Sequence, residues 1–464
     1  MPVPIRGNGV PENGVAIWLI DIVAREAMLF AAIGFLIGGI DDVLADLVYI
    51  AARVRGWIRG WPPRELSRDS GRMAVFIPAW DEAGVIAAML RSALARYDHA
   101  DFRIYVGTYP NDPATIAAVA DVASLDDRVR LVIGEQPGPT TKADCLNGLW
   151  RALLADEAAG EAVLGVVLHD AEDVVHPLEL QLLAAHLSDH EAVQIPVLPL
   201  ADPRSPLVAG HYLDEFAEAH TKSLIVRQRL GAAMPFAGVG CAIRRDMLGR
   251  IAGARGGLPF DAASLTEDYE LGLTVSAMGG RSCFLRRRDA DGDLIAVRAF
   301  FPASLSAAVR QKARWMTGIA LAGWDRTGWA RGGGIGEHWM RMRDRRATLA
   351  IPVLGVAYAA LIAWGASAAG HLLAGTALPL PDTMMRWVLG INAGLLGWRI
   401  VLRMAFTGRA HGVKQALLSV PRMFVANLVS LLAARRALAI YWPTLRGERA
   451  RWDKTAHHFP ELVP

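Results

Sequence analysis

The chain has 464 residues, 53% of them hydrophobic, a mean hydropathy of +0.26 and a net charge of +3. That length allows two or more domains, and that hydropathy is high for a purely soluble protein, so membrane segments are expected. The 49 Lys and Arg gather beside apolar runs instead of interleaving with aromatics along one helix, which excludes a nucleic-acid partner and points to a membrane surface.

At the N-terminus, no basic and apolar segment ends in the small residues that signal peptidase removes, so export is not expected. The apolar run 27–40 is short and flanked by Asp21, Arg25, Glu26, Asp41 and Asp42. Arg53, Arg55, Arg59, Arg64, Arg68 and Arg72 follow it, which predicts one crossing with a cytoplasmic C-terminal side, with a helix docked on the membrane face as the alternative.

From residue 71 to about 300 the pattern becomes short Val- and Ile-rich runs alternating with helical stretches, the rhythm of βαβ units on a largely parallel sheet. Strands are predicted at 73–78, 102–107, 128–133 and 162–170, with helices at about 83–96, 114–123 and 142–155 between them. Acids stand where these strands end: Asp81 and Glu82 after the first, Asp112 after the second, Asp170 and Glu172 after the fourth. A single strand-end acid is usually a helix cap, but ligands of open α/β sheets bind at the carboxyl ends of the strands, and here three ends agree. With no GxGxxG after the first strand and no GxxxxGK[ST] anywhere, a phosphate-bearing ligand would be held through Mg²⁺ or Mn²⁺ between carboxylates. Asp173 is expected to be structural, just ahead of a helix that Pro177 begins at its first turn. His169 adjoins the acids only by position, and His186 and His190 are expected on a solvated helix face.

Further along, SLTEDYELGL (264–273) opens a helix with a Ser264/Glu267 capping box. Asp268 in its first turn stays ionised beside the helix dipole, as a general base must. In 304–324, Gln311, Arg314 and Trp315 share one helical face, which suits either a helix lying on the membrane or a site. RGGGIG (331–336) reads as a flexible linker. Segments 347–370 and 384–406 are each long enough to span a bilayer, and the loop between them lacks Lys and Arg while RMRDRR (341–346) precedes the first. They form a predicted hairpin with cytoplasmic ends. The apolar stretch 413–442 has positive charge at both ends, including Arg446, Arg449, Arg451 and Lys454, and is read as an interfacial helix. Cys145, Cys241 and Cys283 lack metal spacing and are expected as reduced thiols.

The set PAWDE (78–82), Asp112, TKADCLN (141–147), HDAED (169–173), FAGVGCAIRR (236–245), TED (266–268) and QKARW (311–315) resembles, in order, the membrane-embedded family 2 glycosyltransferases. These include cellulose, chitin and hyaluronan synthases. YPNDP (109–113), KADCLN and WDKTAHHFP (452–460) are most similar to the NfrB-type inner-membrane subgroup, which resembles exopolysaccharide synthases. The resemblance implies a GT-A α/β fold with a mostly parallel central sheet, flanked by transmembrane and interfacial helices. It divides the chain into an N-terminal membrane region (1–70), a cytoplasmic GT-A domain (71–300), the QxxRW helix and linker (301–346), a transmembrane hairpin (347–406) and an interfacial helix with a basic tail (407–464).

By the same resemblance, Asp81, Glu82, Asp112, Lys142, Asp144 and Asp170 bind a UDP-sugar donor, an N-acetylhexosamine, and Asp170 and Glu172 hold Mg²⁺ or Mn²⁺. Thr266, Glu267 and Asp268 are catalytic, with Asp268 the base, and Gln311, Arg314 and Trp315 face the diphosphate and acceptor. The acceptor is a growing glycan or a lipid-linked sugar, the surroundings are membrane lipid of the bacterial inner membrane, and an outer-membrane export partner is implied. The usual Asp-x-Asp metal motif is Asp-x-Glu here and the FxVT gating signature is missing after Trp315; regulation by cyclic-di-GMP through a domain of this chain is not expected. Two alternatives stand beside this reading: a polyprenyl-phosphate transferase that adds one sugar, and a non-catalytic scaffold or receptor of glycosyltransferase shape.

Overall fold

The computed structural model describes residues 12–59, 66–67, 71–447 and 459. Arg64, Arg68, Arg449, Arg451, Lys454 and all of the 452–460 motif except Phe459 lie outside the described residues. Two compact units are formed, one by residues 1–46 with 346–402 and the other by 47–345 with 403–464.

The larger unit is built on nine strands: β1 Met73–Pro78, β2 Phe102–Thr108, β3 Val129–Ile133, β4 Gly165–Leu168, β5 Ala192–Gln194, β6 Val197–Pro199, β7 Cys241–Arg244, β8 Ser282–Phe284 and β9 Val297–Ala299. Seven of them form a sheet in the order β3-β2-β1-β4-β7-β5-β8, and β6 pairs with β9 in a second. All pairings are parallel except those of β7 with β4 and β5. The expected mostly parallel sheet is therefore present. β4 is shorter than its apolar run, and β5 to β9 are strands that the sequence reading did not place.

The helices in chain order are α1 Glu12–Arg59, α2 Ile86–Arg96, α3 Pro113–Ala123, α4 Lys142–Ala158, α5 Glu179–Leu187, α6 Gly210–Glu218, α7 Leu224–Arg229, α8 Arg245–Ala254, α9 Glu267–Ala277, α10 Leu305–Met316, α11 Ala322–Thr327, α12 Ile335–Arg345, α13 Ala347–Ala374, α14 Thr383–His411 and α15 Val413–Thr444. Side chains of β1 alternate between two cores, as strand geometry requires. Met73, Val75 and Ile77 pack with Ile86, Met89 and Leu90 of α2 and with Leu183 of α5. Ala74 and Phe76 pack with Leu146, Leu149 and Trp150 of α4 and with α8 and α9 on the other side. All six residues of β1 are buried, the environment of a central parallel strand.

This topology places the site. The chain runs β1, β2, β3 in one direction across the sheet, then returns to lay β4 on the other side of β1. The reversal opens a crevice beyond the carboxyl ends of β1 and β4. Because Cys241 pairs with Leu168, antiparallel β7 begins at that same end, so the 236–240 loop enters the crevice beside the acids that follow β4.

Several local expectations are corrected. Helix α5 starts at Glu179, with Pro177 two residues ahead of it, and His190 lies past its end. Ile335 and Gly336 belong to α12, not to a linker. The short run 27–40 is part of the 48-residue helix α1.

Four helices, covering 14–56, 347–374, 383–411 and 413–444, are long and apolar enough to cross a membrane. The stretch expected in the interface, now α15, is thus one continuous helix through Pro421 that meets the same criterion. Its Val429, Ala433 and Ala437 are buried against Tyr212, Ala308 and Ala313, and Arg422 is fully buried, 3.2 Å from Asp214. In the smaller unit three acids flanking the 27–40 run, and Asp46 beyond them, have partners: Arg346 lies 2.9 Å from Asp41 and 2.7 Å from Asp42, His371 lies 3.0 Å from Asp21, and Trp398 Nε1 donates to Asp46 at 2.9 Å. Pairing removes the cost that an isolated charge would carry in an apolar setting.

Candidate active site

The crevice is lined by Trp80 and Glu82 after β1, Thr141 and Lys142 at the start of α4, Asp170 to Asp173 after β4, Ala237 and Val239 before β7, Ser264 to Asp268 at the start of α9, and Gln311, Arg314 and Trp315 of α10. Phe216 and Phe301 complete its apolar wall. Of the residues expected in the site, ten meet here: Glu82, Lys142, Asp170, Glu172, Thr266, Glu267, Asp268, Gln311, Arg314 and Trp315. Asp81, Asp112 and Asp144 are not among the lining residues.

Asp112 has a structural task that accounts for its position. Its carboxylate caps α3 by accepting from Thr115 N–H (3.2 Å) and also accepts from Asp81 N–H (2.6 Å). Asp81 has φ +54°, the one non-glycine residue with positive φ among the described residues. That left-handed conformation is tolerated by Asp more readily than by most residues. The second bond on Asp112 holds the strained turn, and Glu82 N–H is anchored to Thr115 Oγ1 at 3.0 Å. Asp144 follows the N-cap Thr141, whose hydroxyl accepts from Asp144 N–H at 3.2 Å.

Lys142, expected to bind the donor, stands between the two acidic segments. Its Nζ is 2.6 Å from Asp170 Oδ1 and 3.9 Å from Glu267 Oε1. Burial pulls the ammonium pKa down, but Asp170, Glu267 and Asp268 outweigh it and raise it, so Lys142 is a fixed positive charge in the cleft.

The loop after β4 is tied from below. Asp173 Oδ2 accepts from Asp170 N–H at 2.9 Å and lies 2.8 Å from His169 Nδ1. On the other side of the ring, His169 Nε2 is 2.8 Å from Glu179 Oε1 and 3.2 Å from Tyr97 OH. His169 is completely buried, and although burial disfavours its charge, the two carboxylates push its pKa up to about 10. Burial raises the Asp173 carboxyl to about 6, against the opposing pull of His169. His169 is thus an internal part of the loop, not a bystander.

At α9 the expected capping box is absent. Thr266 is the N-cap and makes no side-chain cap bond, because the helix begins at Glu267 itself. Ser264 instead accepts from Thr266 N–H (3.2 Å) and donates to Glu270 (2.7 Å), which Arg326 also contacts at 3.1 Å. Asp268 Oδ1 accepts from Tyr269 N–H at 2.8 Å. Its other oxygen points at Gly238, where a Cβ would stand only 2.6 Å away. Gly238 has φ +79°, so this position needs glycine for its conformation and for its closeness to Asp268. Burial, then the neighbouring Glu267, push Asp268 up to about 7 despite Lys142. Desolvation and the like charge of Glu267 thus work against the ionised form that the sequence expectation gave Asp268.

Helix α10 is capped by Ser304, which accepts from Ala307 N–H at 3.3 Å. Its small residues Ala308 and Ala313 pack on α15, turning Gln311, Arg314 and Trp315 to the cleft. Gln311 Oε1 and Thr266 Oγ1 are buried and without a hydrogen-bond partner among the described residues, in side chains that line the cleft.

Asp170 and Glu172 offer the hard oxygens that a divalent cation prefers. No group of three His, Cys, Asp or Glu side chains that could hold a metal by itself occurs among the described residues. Two carboxylates with further positions left to phosphate and water are the usual mode for Mg²⁺-type sites, so this donor set fits a cation shared with a bound diphosphate. The sequence reading quoted Trp80, Thr141 and Gly238 within motifs without giving them a role, and missed Phe216 and Phe301. The GVG before β7 signalled a tight turn; the two Phe carried no local signal.

Residues 71–318 match the family model described as glycosyltransferase-like family 2. Bacteriophage adsorption protein B of Escherichia coli strain K12 and bacteriophage N4 adsorption protein B of Escherichia coli O157:H7 are each 34% identical to the chain in alignments covering 96% of it. The chain spans 64% of the length of these relatives. Among solved structures, the mannosyltransferase PcManGT from Pyrobaculum calidifontis, in complex with GDP-Man and Mn²⁺, aligns with a TM-score of 0.50 at 18% identity, over 88% of this chain and 99% of its own. That likeness is one of fold.

Proposed function

The chain belongs to the glycosyltransferase-like family 2, and on that premise we propose that it is an inverting glycosyltransferase of the bacterial inner membrane. In this reading it moves an N-acetylhexosamine from a UDP-sugar to a growing glycan for exopolysaccharide synthesis and export. Residues 71–300 form the cytoplasmic catalytic domain, and the apolar helices make the protein multi-pass. The uridine nucleotide, the sugar and an outer-membrane export partner rest on the resemblance of the sequence motifs.

The observation that carries the catalytic part is Asp268: a carboxyl at the cleft wall, pushed up to about 7, close to the Lys142–Asp170 pair. A pKa near the working pH suits a group that must take a proton and release it. As the acceptor hydroxyl oxygen forms its bond to the anomeric carbon, its proton passes to Asp268, and the anomeric carbon–oxygen bond to the diphosphate breaks with its electron pair leaving on the nucleotide. One displacement inverts the anomeric centre. Lys142 and Arg314 supply fixed positive charge to the leaving diphosphate, Gln311 and Thr266 offer hydrogen bonds to sugar hydroxyls, and Trp315 offers its ring to the acceptor sugar. A divalent cation held by Asp170 and Glu172 supplies, when bound, neutralisation of the phosphate charge.

The full chain, purified from membranes, is incubated with a panel of UDP- and GDP-sugars and Mg²⁺ or Mn²⁺, and nucleotide release is scored. Release from one UDP-N-acetylhexosamine, with a ladder of products, is expected. No release from any donor would overturn the enzymatic reading in favour of a non-catalytic scaffold, and a single added sugar would overturn polymerisation.

A further inference from the structure

Two features of the loop after β4 remain outside the chemistry described above: a fully buried histidine with both ring nitrogens engaged, and an acid that faces inward. His169 follows the last residue of β4, and its N–H continues the sheet by donating to Phe76 O at 3.1 Å. Its ring reaches Asp173 at 2.8 Å through Nδ1 and Glu179 at 2.8 Å through Nε2. Glu179 is the first residue of α5, fully buried, while Asp173 is 2% exposed. The Asp173 oxygen that meets the ring also accepts from Asp170 N–H. An unbroken path therefore runs from α5 through the imidazole to the backbone of Asp170.

We infer that His169 is a positioning residue, cross-linking Asp173 to Glu179 and so fixing the loop that presents Asp170 and Glu172 to a cation-bound nucleotide diphosphate. The inference rests on the cation reading given under the proposed function. Its physical basis is that the Asp170–Asp173 turn is short and its carboxylates must be held within tenths of an ångström to share a cation with phosphate. A ring engaged at both nitrogens fixes orientation in a way that one hydrogen bond cannot. Outer-shell partners of this kind are worth about 10- to 100-fold in metal affinity.

The test measures Mn²⁺-dependent binding of UDP, with GDP in a parallel arm, to the full chain in detergent by calorimetry, alongside the melting temperature. His169→Gln can reach only one carboxylate, and its half-saturating Mn²⁺ concentration is expected to rise about tenfold or more. Glu179→Gln keeps an oxygen facing Nε2 and is expected to shift that concentration less than about threefold, whereas Glu179→Leu severs the link and matches His169→Gln. Should His169→Gln fail to fold, Glu179→Leu cuts the same link from the helix side and is read by the same two measurements. A lowered melting temperature with an unmoved Mn²⁺ requirement in these variants overturns the inference and leaves His169 a stabilising residue only. If the wild type itself shows no Mn²⁺ dependence, or Asp170→Asn retains it, the cation reading fails and takes this inference with it.

Discussion

The loop after β4 and the first turn of α9 both bring carboxylates to the same cleft, yet their surroundings differ. In the loop, Asp170 has Lys142 at 2.6 Å and its backbone N–H tied to Asp173, which is in turn fastened to His169. In α9, Asp268 lies on the cleft wall next to Glu267, has one backbone donor, and is pushed up to about 7 by desolvation and that like charge. The first arrangement holds its carboxylates in place through partners; the second gives Asp268 a pKa near neutrality. Environments that separate like groups in this way assign roles that the residue type alone cannot.

The largest test of this contrast is Asp268→Asn. Transfer should fall by about 10²- to 10⁴-fold, the usual contribution of a general base, while nucleotide binding stays within about threefold. Near wild-type transfer in this variant would remove Asp268 from the chemistry. Next is Gly238→Ala, which puts a methyl against the Asp268 carboxylate and an L residue at φ +79°. A misplaced reacting group costs about 10- to 100-fold in rate, and the left-handed backbone costs about 1–2 kcal/mol of stability; steady-state rates and thermal unfolding read the two separately.

The pH dependence follows from the same residue. Transfer should rise about tenfold per pH unit below 7 and level off above about 8, because the base form of Asp268 is the active one. The stability sign is opposite. A carboxyl whose folded pKa is raised above its unfolded value, about 3.9, contributes stability that is fully present below that value and lost as pH rises through about 7. The wild-type melting temperature should therefore fall relative to Asp268→Asn between about pH 4 and 7.

The smallest effect is expected from Asp112→Ala. Loss of the α3 cap and of the hold on Asp81 costs about 1 kcal/mol, seen as a lowered melting temperature with little change in transfer rate. A tenfold loss of nucleotide affinity at unchanged stability would instead return Asp112 to the donor-binding role that the family resemblance implied.

Much of the fold was legible because its signals are local. β1 is a continuous apolar run, β2 and β3 are Val- and Ile-rich runs each interrupted by one arginine, and the bounds of all three fall within a residue of expectation. The acids after β1 and β4 stand out because strand ends in an open α/β sheet are where chemistry gathers. By contrast, β5, β6, β8 and β9 have three residues each, too few to carry a period. Asp112 and Asp170 are the same residue type at equivalent strand ends. Only the packed structure separates the one that caps a helix from the one that faces Lys142. The capping-box spacing of Ser264 and Glu267 was equally persuasive in sequence, but Ser264 bonds Glu270 because the helix begins two residues later than a box at Ser264 requires.

The sequence by itself determined which chemistry was on offer: carboxylates at strand ends, a TED segment, a QxxRW face and apolar segments on both sides of the α/β region. These follow from composition and from short-range spacing along one chain. The tertiary structure decided which of those groups meet and in what electrostatic state. It set Lys142 between Asp170 and Glu267, buried His169 under the acid loop and raised Asp268 to about 7. Burial and charge proximity are sums over neighbours distant in sequence, and no local pattern encodes them.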